Sequence, residues 1–197
     1  MAQIFDDILV RGVRQGQIPA RTQSARDWFR DKARTARSAA AYPANLISSS
    51  GNKTDEVKVG RMYHFFYDPK TKQDLPYYDR FPLIFMVGPA EGGFYGINLH
   101  YLPPKLRAKL MDALYSITSD KRYDENTKLR LSYSILKNAN KYRYFKPCFK
   151  HYLSSQVNSK FIEIQSVEWD IALFLPTERF EKASKSRVFA DSRKMIV

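Results

Sequence analysis

The feature that most constrains the fold is a block from Val57 to Leu102, in which short apolar runs rich in aromatic residues alternate with turn sequences. The runs predict β-strands near residues 61–67, 81–87 and 93–99; DPKTKQDLPYYD predicts a long hairpin loop between the first two, and GPAEGG predicts a tighter loop before the third. Three short strands cannot bury a core by themselves. Further strands or covering helices must therefore complete it.

After the third predicted strand the pattern changes to helices. Pro103–Pro104 predicts a rigid corner into a helix, because proline is tolerated in a first helical turn. Apolar residues then recur at helical spacing in KLRAKLMDALYSI. A second helix is predicted at 126–138, and a basic loop leads to a short helix that begins at Pro147. FIEIQ predicts a strand at 161–165, SVEWDIALFLP predicts a short buried helix that ends before Pro176, and RVFA predicts an edge strand or an extended segment.

Residues 1–56 predict a basic helical arm followed by a linker. Capping residues and good helix formers place a helix at 23–40. Its apolar stripe is narrow, so we expect Trp28 and Phe29 to dock on a partner chain or on DNA, while a helix lying over its own domain is the alternative. The polar segment at 47–56 predicts a flexible linker.

Together these elements predict an α+β protein with three regions. We expect the basic arm and linker at 1–56, a small SH3-like β-barrel module at 57–102, and a helical and mixed C-terminal region at 103–197 packed on it. No run of about 18 apolar residues exists, so we expect no transmembrane helix. Among partners that the charge would attract, nucleic acid comes first and an anionic membrane second, and we expect no membrane partner. The start MAQIFDDILVRG lacks the pattern of a signal peptide. A single cysteine excludes an internal disulfide and indicates an intracellular or virion setting.

Signatures of catalysis are weak. Cys148 and His151 give the only nucleophile and base at a suggestive spacing, and a buried structural cysteine is the favoured interpretation. None of the three histidines has the spacing of a helical metal site, so each is expected in the core or at an interface. A metal-dependent nuclease would require acids such as Glu163 and Asp79, but ion pairs with the surplus cations explain these acids better. We therefore expect no cofactor, no metal and no enzymatic activity.

The strongest indication of a partner is the net charge of +13, because such a surface attracts polyanions. Basic residues interleave with aromatic ones in KYRYFKPCFKHY, where cations suit phosphates and rings can stack on bases. An ordinary basic surface with half-buried tyrosines is the alternative. No motif predicts base-specific readout, so DNA binding would be mainly to the backbone and steeply salt-dependent. The expected polyanion contacts are Arg26, Arg30, Arg34, Arg37, Lys105, Arg107, Lys109, Lys128, Arg130, Lys141, Arg143, Lys146 and Lys150.

Two sequences, GRMYHFFYDPKTKQDLPYYDRFPLIFMV and GGFYGINLHYLPPKLRAKLMDAL, resemble virion structural proteins of T4-like contractile-tailed bacteriophages. The resemblance lies in the group of DNA end protector, head-completion and baseplate proteins, and it covers residues 60–115, with a weaker similarity in KPCFKHYLSSQVNSKFIEIQSVEWDIALFLP. The DNA end protector family is preferred because it would account for the charge. That family implies a protein bound to the termini of packaged DNA that shields them from host exonucleases.

The resemblance also implies where the protein works and with what. It implies a virion protein assembled in the host cytoplasm, present in multiple copies, with double-stranded DNA and other virion proteins of the portal, neck or baseplate as partners. A baseplate or tail subunit whose basic surface binds acidic proteins is one alternative. A metal-dependent nuclease is the other.

Overall fold

The computed structural model describes residues 4–18, 22–36, 41–118, 120–122, 124, 134, 138 and 143–196. The helices are α1 (Ile4–Arg14), α2 (Gln23–Arg34), α3 (Pro43–Ser49), α4 (Pro104–Thr118), α5 (Trp169–Phe174) and α6 (Lys185–Ile196). The strands are β1 (Lys53–Thr54), β2 (Met62–His64), β3 (Tyr78–Asp79), β4 (Leu83–Ala90), β5 (Gly93–Asn98), β6 (Phe149–Leu153), β7 (Phe161–Ile164) and β8 (Phe180–Glu181). Short 3₁₀ turns lie at Leu99–Tyr101, Arg143–Cys148, Ser154–Gln156 and Ser166–Glu168. The predicted α+β class is confirmed.

Six strands form one antiparallel sheet in the order β1-β7-β2-β4-β5-β6, while β3 and β8 form a separate pair. The predicted strands of the Val57–Leu102 block correspond to β2, β4 and β5, and FIEIQ corresponds to β7. The missing strands that the block needed come from the C-terminal part of the chain, which supplies β6 and β7 on either side of it.

The sheet buries side chains on both faces, because alternate residues of a strand point to opposite sides. One face carries Met62 opposite Phe85 and belongs to the main core, which the helices cover. The other face carries Tyr63 opposite Ile84 and belongs to a smaller cluster rich in aromatic residues. In that cluster the Phe65 ring meets Tyr67, Phe94 and Tyr152 edge to face. The aromatic runs of the sequence therefore fill a second core.

The expected SH3-like barrel is not confirmed. The sheet ends at β1 on one side and β6 on the other, and no pairing joins these two strands within the described part of the chain. One isolated bridge, Tyr67 with Val157, adds to the sheet without closing it.

The N-terminal helices belong to the core of this chain, so the prediction of a free arm that docks elsewhere is wrong. Phe5 and Ile8 of α1 and Phe29 of α2 lie in the same apolar cluster as the sheet residues. The contact between the two helices is close: a Cβ on Gly12 would lie 2.4 Å from the Phe29 ring, so only glycine fits there. The alternative, a helix laid over its own domain, is what the structure shows. The division of the chain at residues 57 and 103 stays a prediction.

Several local predictions have different outcomes. The corner at Pro103–Pro104, helix α4 and the buried helix before Pro176 are confirmed. The segment at 47–56 contains the end of α3 and strand β1, so it is not simply a linker. RVFA lies within α6, and the helix expected from Pro147 is instead a 3₁₀ turn leading into β6. The predicted helix at 126–138 lies outside the described residues except for positions 134 and 138.

Candidate nucleic-acid interface

Two arginines expected on the surface, Arg26 and Arg30, are inside the protein, with 1% and 5% of their area exposed. Arg30 donates to Asp170 at 2.7 Å and to Asp112 at 2.9 Å, and Arg26 donates to Asp170 at 3.1 Å. Arg26 Nη2 also lies 2.9 Å from Asp112 Oδ1, outside hydrogen-bonding geometry. Burial opposes the charge of Arg30, but the two carboxylates outweigh it and raise its pKa. Both arginines share the buried helical face of Phe29 and connect α2 to α4 and α5. The structure therefore contradicts their assignment as polyanion contacts.

Arg107 is a third arginine that the structure removes from the surface, since it is 3% exposed. Its guanidinium donates to the backbone oxygens of Leu102 at 2.7 Å, Leu173 at 2.9 Å and His100 at 3.1 Å. Burial lowers the pKa of Arg107 to about 10. Arg107 thus fastens the Pro103–Pro104 corner to α5 and is not available to a polyanion.

The other expected contacts divide between surface residues and residues outside the description. Arg34, Lys105, Lys109 and Lys146 are exposed, Lys150 is half-buried, and none of these makes an ion pair within the described ranges. Lys105 and Lys109 are four residues apart on α4 and therefore share its outer side. Arg37, Lys128, Arg130 and Lys141 lie outside the described residues, and Arg143 is described only by its backbone. All of these stay predicted contacts.

The two residues expected to dock on a partner have different environments. Phe29 is 1% exposed and packs in the core, so it cannot serve as a docking residue. The ring of Trp28 meets Phe29 edge to face at 5.0 Å and is only partly buried. Docking by Trp28 therefore stays a prediction.

A buried hydrogen-bonded chain joins Asp79, His100 and Thr177 behind the end of β5. His100 Nδ1 lies 2.6 Å from Asp79 Oδ2, and His100 Nε2 lies 3.1 Å from Thr177 Oγ1. Asn98 donates to Asp79 at 3.1 Å. Burial opposes ionisation of Asp79, but His100 and the surrounding hydrogen bonds outweigh it and lower the pKa of that carboxyl. Burial lowers the pKa of His100, so the neutral imidazole donates from Nδ1 and accepts from Thr177 at Nε2.

This chain has the composition of a nucleophile, a base and an orienting acid, but its location argues for a structural role. His100 and Thr177 have no exposed surface, and His64, which stacks on Phe81 beside them, has none either. Burial, with a contribution from His100, lowers the pKa of His64 to about 3. No substrate can reach these groups without opening the core.

Cys148 and His151 do not form a nucleophile and base. Burial raises the pKa of the Cys148 thiol to about 12, which suppresses the reactive thiolate. His151 is exposed and donates from Nε2 to the backbone oxygen of Glu91. The favoured interpretation, a buried structural cysteine, agrees with the structure.

A pocket of about 310 Å³ opens next to the Asp79 network. Five tyrosines line it, together with Lys70 and Lys150. Asp79 and Asn98 also line it, so the buried chain supports one of its walls. The pocket combines aromatic rings with cations, as do the sites of proteins that bind single-stranded nucleic acid.

The comparison with protein families identifies one family. The family model of the phage T4 terminal DNA protecting protein matches residues 9–196. The chain belongs to this family. The resemblance to the DNA end protectors of T4-like phages is thereby confirmed. No curated protein and no solved structure matches the chain.

Membership of the terminal DNA protecting family implies association with phage DNA ends and is consistent with a non-enzymatic role. It gives no support to the tail or baseplate alternative. Within the described residues, no helix is long and apolar enough to cross a membrane.

Asp79 and Glu163, the two acids that a metal-dependent nuclease would require, are bound by other groups of the protein. Asp79 Oδ1 accepts from the backbone amides of Phe81 at 3.1 Å and Arg179 at 3.2 Å, while Oδ2 is held by His100 and Asn98. Glu163 lies 3.7 Å from Arg61, as expected for an acid that pairs with a surplus cation. The described ranges contain no group of three or more histidine, cysteine, aspartate or glutamate side chains placed to hold a metal.

Sequence reasoning missed the pocket. Tyr77 and Tyr78 belong to a segment predicted as a hairpin loop, and Lys70 lies in the same segment. The adjacent tyrosines of PYYD were the available signal. Nothing local in the sequence shows that this loop packs beside β6, which lies far along the chain.

Proposed function

We propose that the protein binds the ends of double-stranded phage DNA through exposed lysines and arginines and shields them from exonucleases without catalysing a reaction. Family membership supports the association with DNA ends. The observation that carries the mode of binding is the way the fold distributes its cations.

Buried cations have partners inside the protein, whereas the expected contact residues on the described surface form no ion pairs. Asp112 and Asp170 are occupied by the arginines of α2, and Arg107 is occupied by backbone oxygens. Lys105 and Lys109 project from the adjoining helix α4 and form no ion pair among the described residues. These two lysines therefore add positive charge to the surface of a chain whose net charge is +13, and such charge favours a polyanion.

This surface suits phosphates better than base edges. Lysines act as point charges toward phosphate and carry no sequence information when they contact the backbone. Ends from any sequence would then be bound, as a protector of termini requires. The proposed contact set is Arg34, Arg37, Lys105, Lys109, Lys128, Arg130, Lys141, Arg143, Lys146 and Lys150. A place in the virion, in several copies beside other virion proteins, is part of the same proposal.

Salt-dependent binding tests the proposal. Affinity of the full chain for a short linear duplex should fall steeply with salt, with a slope of about 0.9 for each phosphate contacted. The Lys105→Ala/Lys109→Ala double variant should lower that slope by about 1.8. A matched control is Lys160→Ala/Arg187→Ala, which removes two exposed cations already paired with Asp55 and Asp191 at 2.9 Å. We expect the control to change the slope much less.

End recognition needs a second measurement. A linear duplex should bind two protein assemblies whatever its length and resist a double-strand exonuclease, while a closed circle should compete poorly. No binding to a linear duplex at about 50 mM salt, where phosphate contacts are strong, would refute the proposal. Equal binding of circles and linear duplexes would refute end recognition. Degradation of DNA by the purified protein with Mg²⁺ or Mn²⁺ would instead favour the nuclease alternative.

A further inference from the structure

The tyrosine-lined pocket has the shape of a small-ligand site. Its volume of about 310 Å³ is at the lower end of the range for ligand pockets in proteins. The tyrosines on its walls come from separate parts of the chain: Tyr67, Tyr77, Tyr78, Tyr101 and Tyr152. Tyr67, Tyr101 and Tyr152 are almost fully buried, so Tyr77 and Tyr78 contribute the more accessible tyrosine surface. The pocket is therefore large enough for a planar group, but not for a folded partner.

The arrangement of rings and cations favours a base with its phosphate. The Tyr77 and Tyr101 rings are 6.0 Å apart and inclined by 33°. Lys150 Nζ lies 4.2 Å from the centre of the Tyr101 ring. The ammonium group thus covers one face of Tyr101, where it suits the phosphate of a nucleotide, and the partly exposed Tyr77 and Tyr78 are the rings on which a base can stack.

Lys150 lacks the counter-charge that a half-buried cation ordinarily has. No carboxylate within the described residues makes an ion pair with its ammonium group, and burial lowers its pKa. Asp79 is the only carboxylate among the described pocket residues, and its oxygens are engaged by His100 and Asn98. An incoming phosphate would supply the missing negative charge.

The loop wall of the pocket is fixed before any ligand arrives. Lys182 donates from Nζ to the backbone oxygens of Lys72 at 2.6 Å, Gln73 at 2.8 Å and Leu75 at 3.1 Å. This lysine has a φ of 66°, a left-handed conformation that directs its side chain while costing some backbone energy. A preformed wall lowers the entropy lost when a ligand binds.

We propose that this pocket receives one unpaired nucleotide at the end of a DNA strand, with its base against the tyrosines and its phosphate beside Lys70 and Lys150. The inference rests on the proposed function and adds the part of the DNA that is recognised. A paired base inside a duplex must be unpaired and unstacked before it can enter such a pocket, whereas a nucleotide beyond the last base pair is already free. The pocket would thereby distinguish an end from continuous duplex.

Duplexes with and without a single-nucleotide overhang test the inference. The overhanging base is 2-aminopurine, whose fluorescence falls when it stacks on an aromatic ring. The full chain should bind the overhang duplex about 10-fold more tightly than the blunt one, as expected for one stacked base, and should quench the probe. The Lys70→Ala/Tyr78→Ala variant should lose both effects, because these residues line the pocket outside both apolar clusters.

The matched control is Lys58→Ala/Tyr42→Ala, which removes one exposed lysine and one exposed tyrosine away from the pocket lining. It should keep the preference and the quenching. Retained binding of the blunt duplex, together with an unchanged circular dichroism spectrum, shows that each variant is folded. Lys150→Gln, a single change that keeps the side-chain length similar, should also reduce the preference.

Four results would overturn the inference, and they differ in what they imply for the proposed function. Equal binding of both duplexes without quenching would refute the pocket's role and leave DNA-end binding intact. Preference and quenching that survive in both pocket variants would place the nucleotide elsewhere on the protein. Equal loss in the control would assign the effect to surface charge. Absence of binding to any duplex would refute both proposals together.

Discussion

Acidification should destabilise this protein through His64, well above the pH at which carboxylates are usually protonated. His64 has no exposed surface, and burial lowers its pKa from 6.5 to about 3. As pH falls below 6.5, the unfolded chain takes up a proton that the folded protein cannot accept. Folding stability is therefore lost at about 1.4 kcal/mol per pH unit, which gives about 2 kcal/mol between pH 7 and pH 5.

The titratable neighbours of His64 act in the same direction. Burial lowers the pKa of His100, so the folded protein also loses stability through this histidine as pH falls below 6.5, the ordinary pKa of the side chain. The pKa of Asp79 is lowered too, and its contribution is lost only below the ordinary value of 3.8. The acid effect near pH 5 therefore comes from the histidines.

Urea unfolding followed by tryptophan fluorescence at pH 7 and pH 5 measures the effect. His64→Gln keeps a side-chain donor for the Pro82 oxygen and should reduce the difference between the two pH values by about 2 kcal/mol. His151→Gln changes an exposed histidine and serves as the control. If His64→Gln and the unchanged protein lose the same stability between pH 7 and pH 5, the reasoning from burial is wrong.

Two further predictions concern buried cations. Arg107→Met removes the donors of three buried carbonyl oxygens and should lower the free energy of unfolding, measured in urea, by on the order of 3 kcal/mol. Lys105→Met on the same helix is the control and should lower it by less than about 0.5 kcal/mol. Equal losses would contradict the role of the guanidinium in holding the corner to α5. Asp170→Asn removes the negative charge shared by the two buried arginines of α2 and should lower the free energy of unfolding by about 3 to 5 kcal/mol. Asp55→Asn, which breaks an exposed ion pair, is the control and should have a much smaller effect. An Asp170→Asn variant as stable as the original protein would show that the arginines do not depend on this carboxylate.

The sequence predicted the elements whose pattern is local. Strands β2, β4, β5 and β7 followed from short apolar runs between turn residues, and the corner at Pro103–Pro104 followed from the chemistry of proline. The segment RVFA misled because four residues of strand-like composition lie inside α6, where the surrounding residues favour a helix.

The roles of the basic residues could not be predicted from local pattern. Arg26 and Arg30 resemble a solvated helical face, and their burial is possible only because Asp112 and Asp170 arrive from distant parts of the chain. The same long-range dependence hid the pocket, whose walls come from a loop and from β6. Net charge identified the class of partner, while the position of each cation required the fold.

The pairing of α2 with Asp170 also sets an order of events during synthesis. The arginines of α2 leave the ribosome long before Asp170, one of the two carboxylates that neutralise them in the core, and β1 likewise waits for its partner β7. Asp112 of α4 emerges earlier, so until α5 follows, two cations share a single carboxylate on the face that must be buried. The nascent chain therefore cannot complete its N-terminal part early, and folding of the whole protein is committed only when its last fifth has been made.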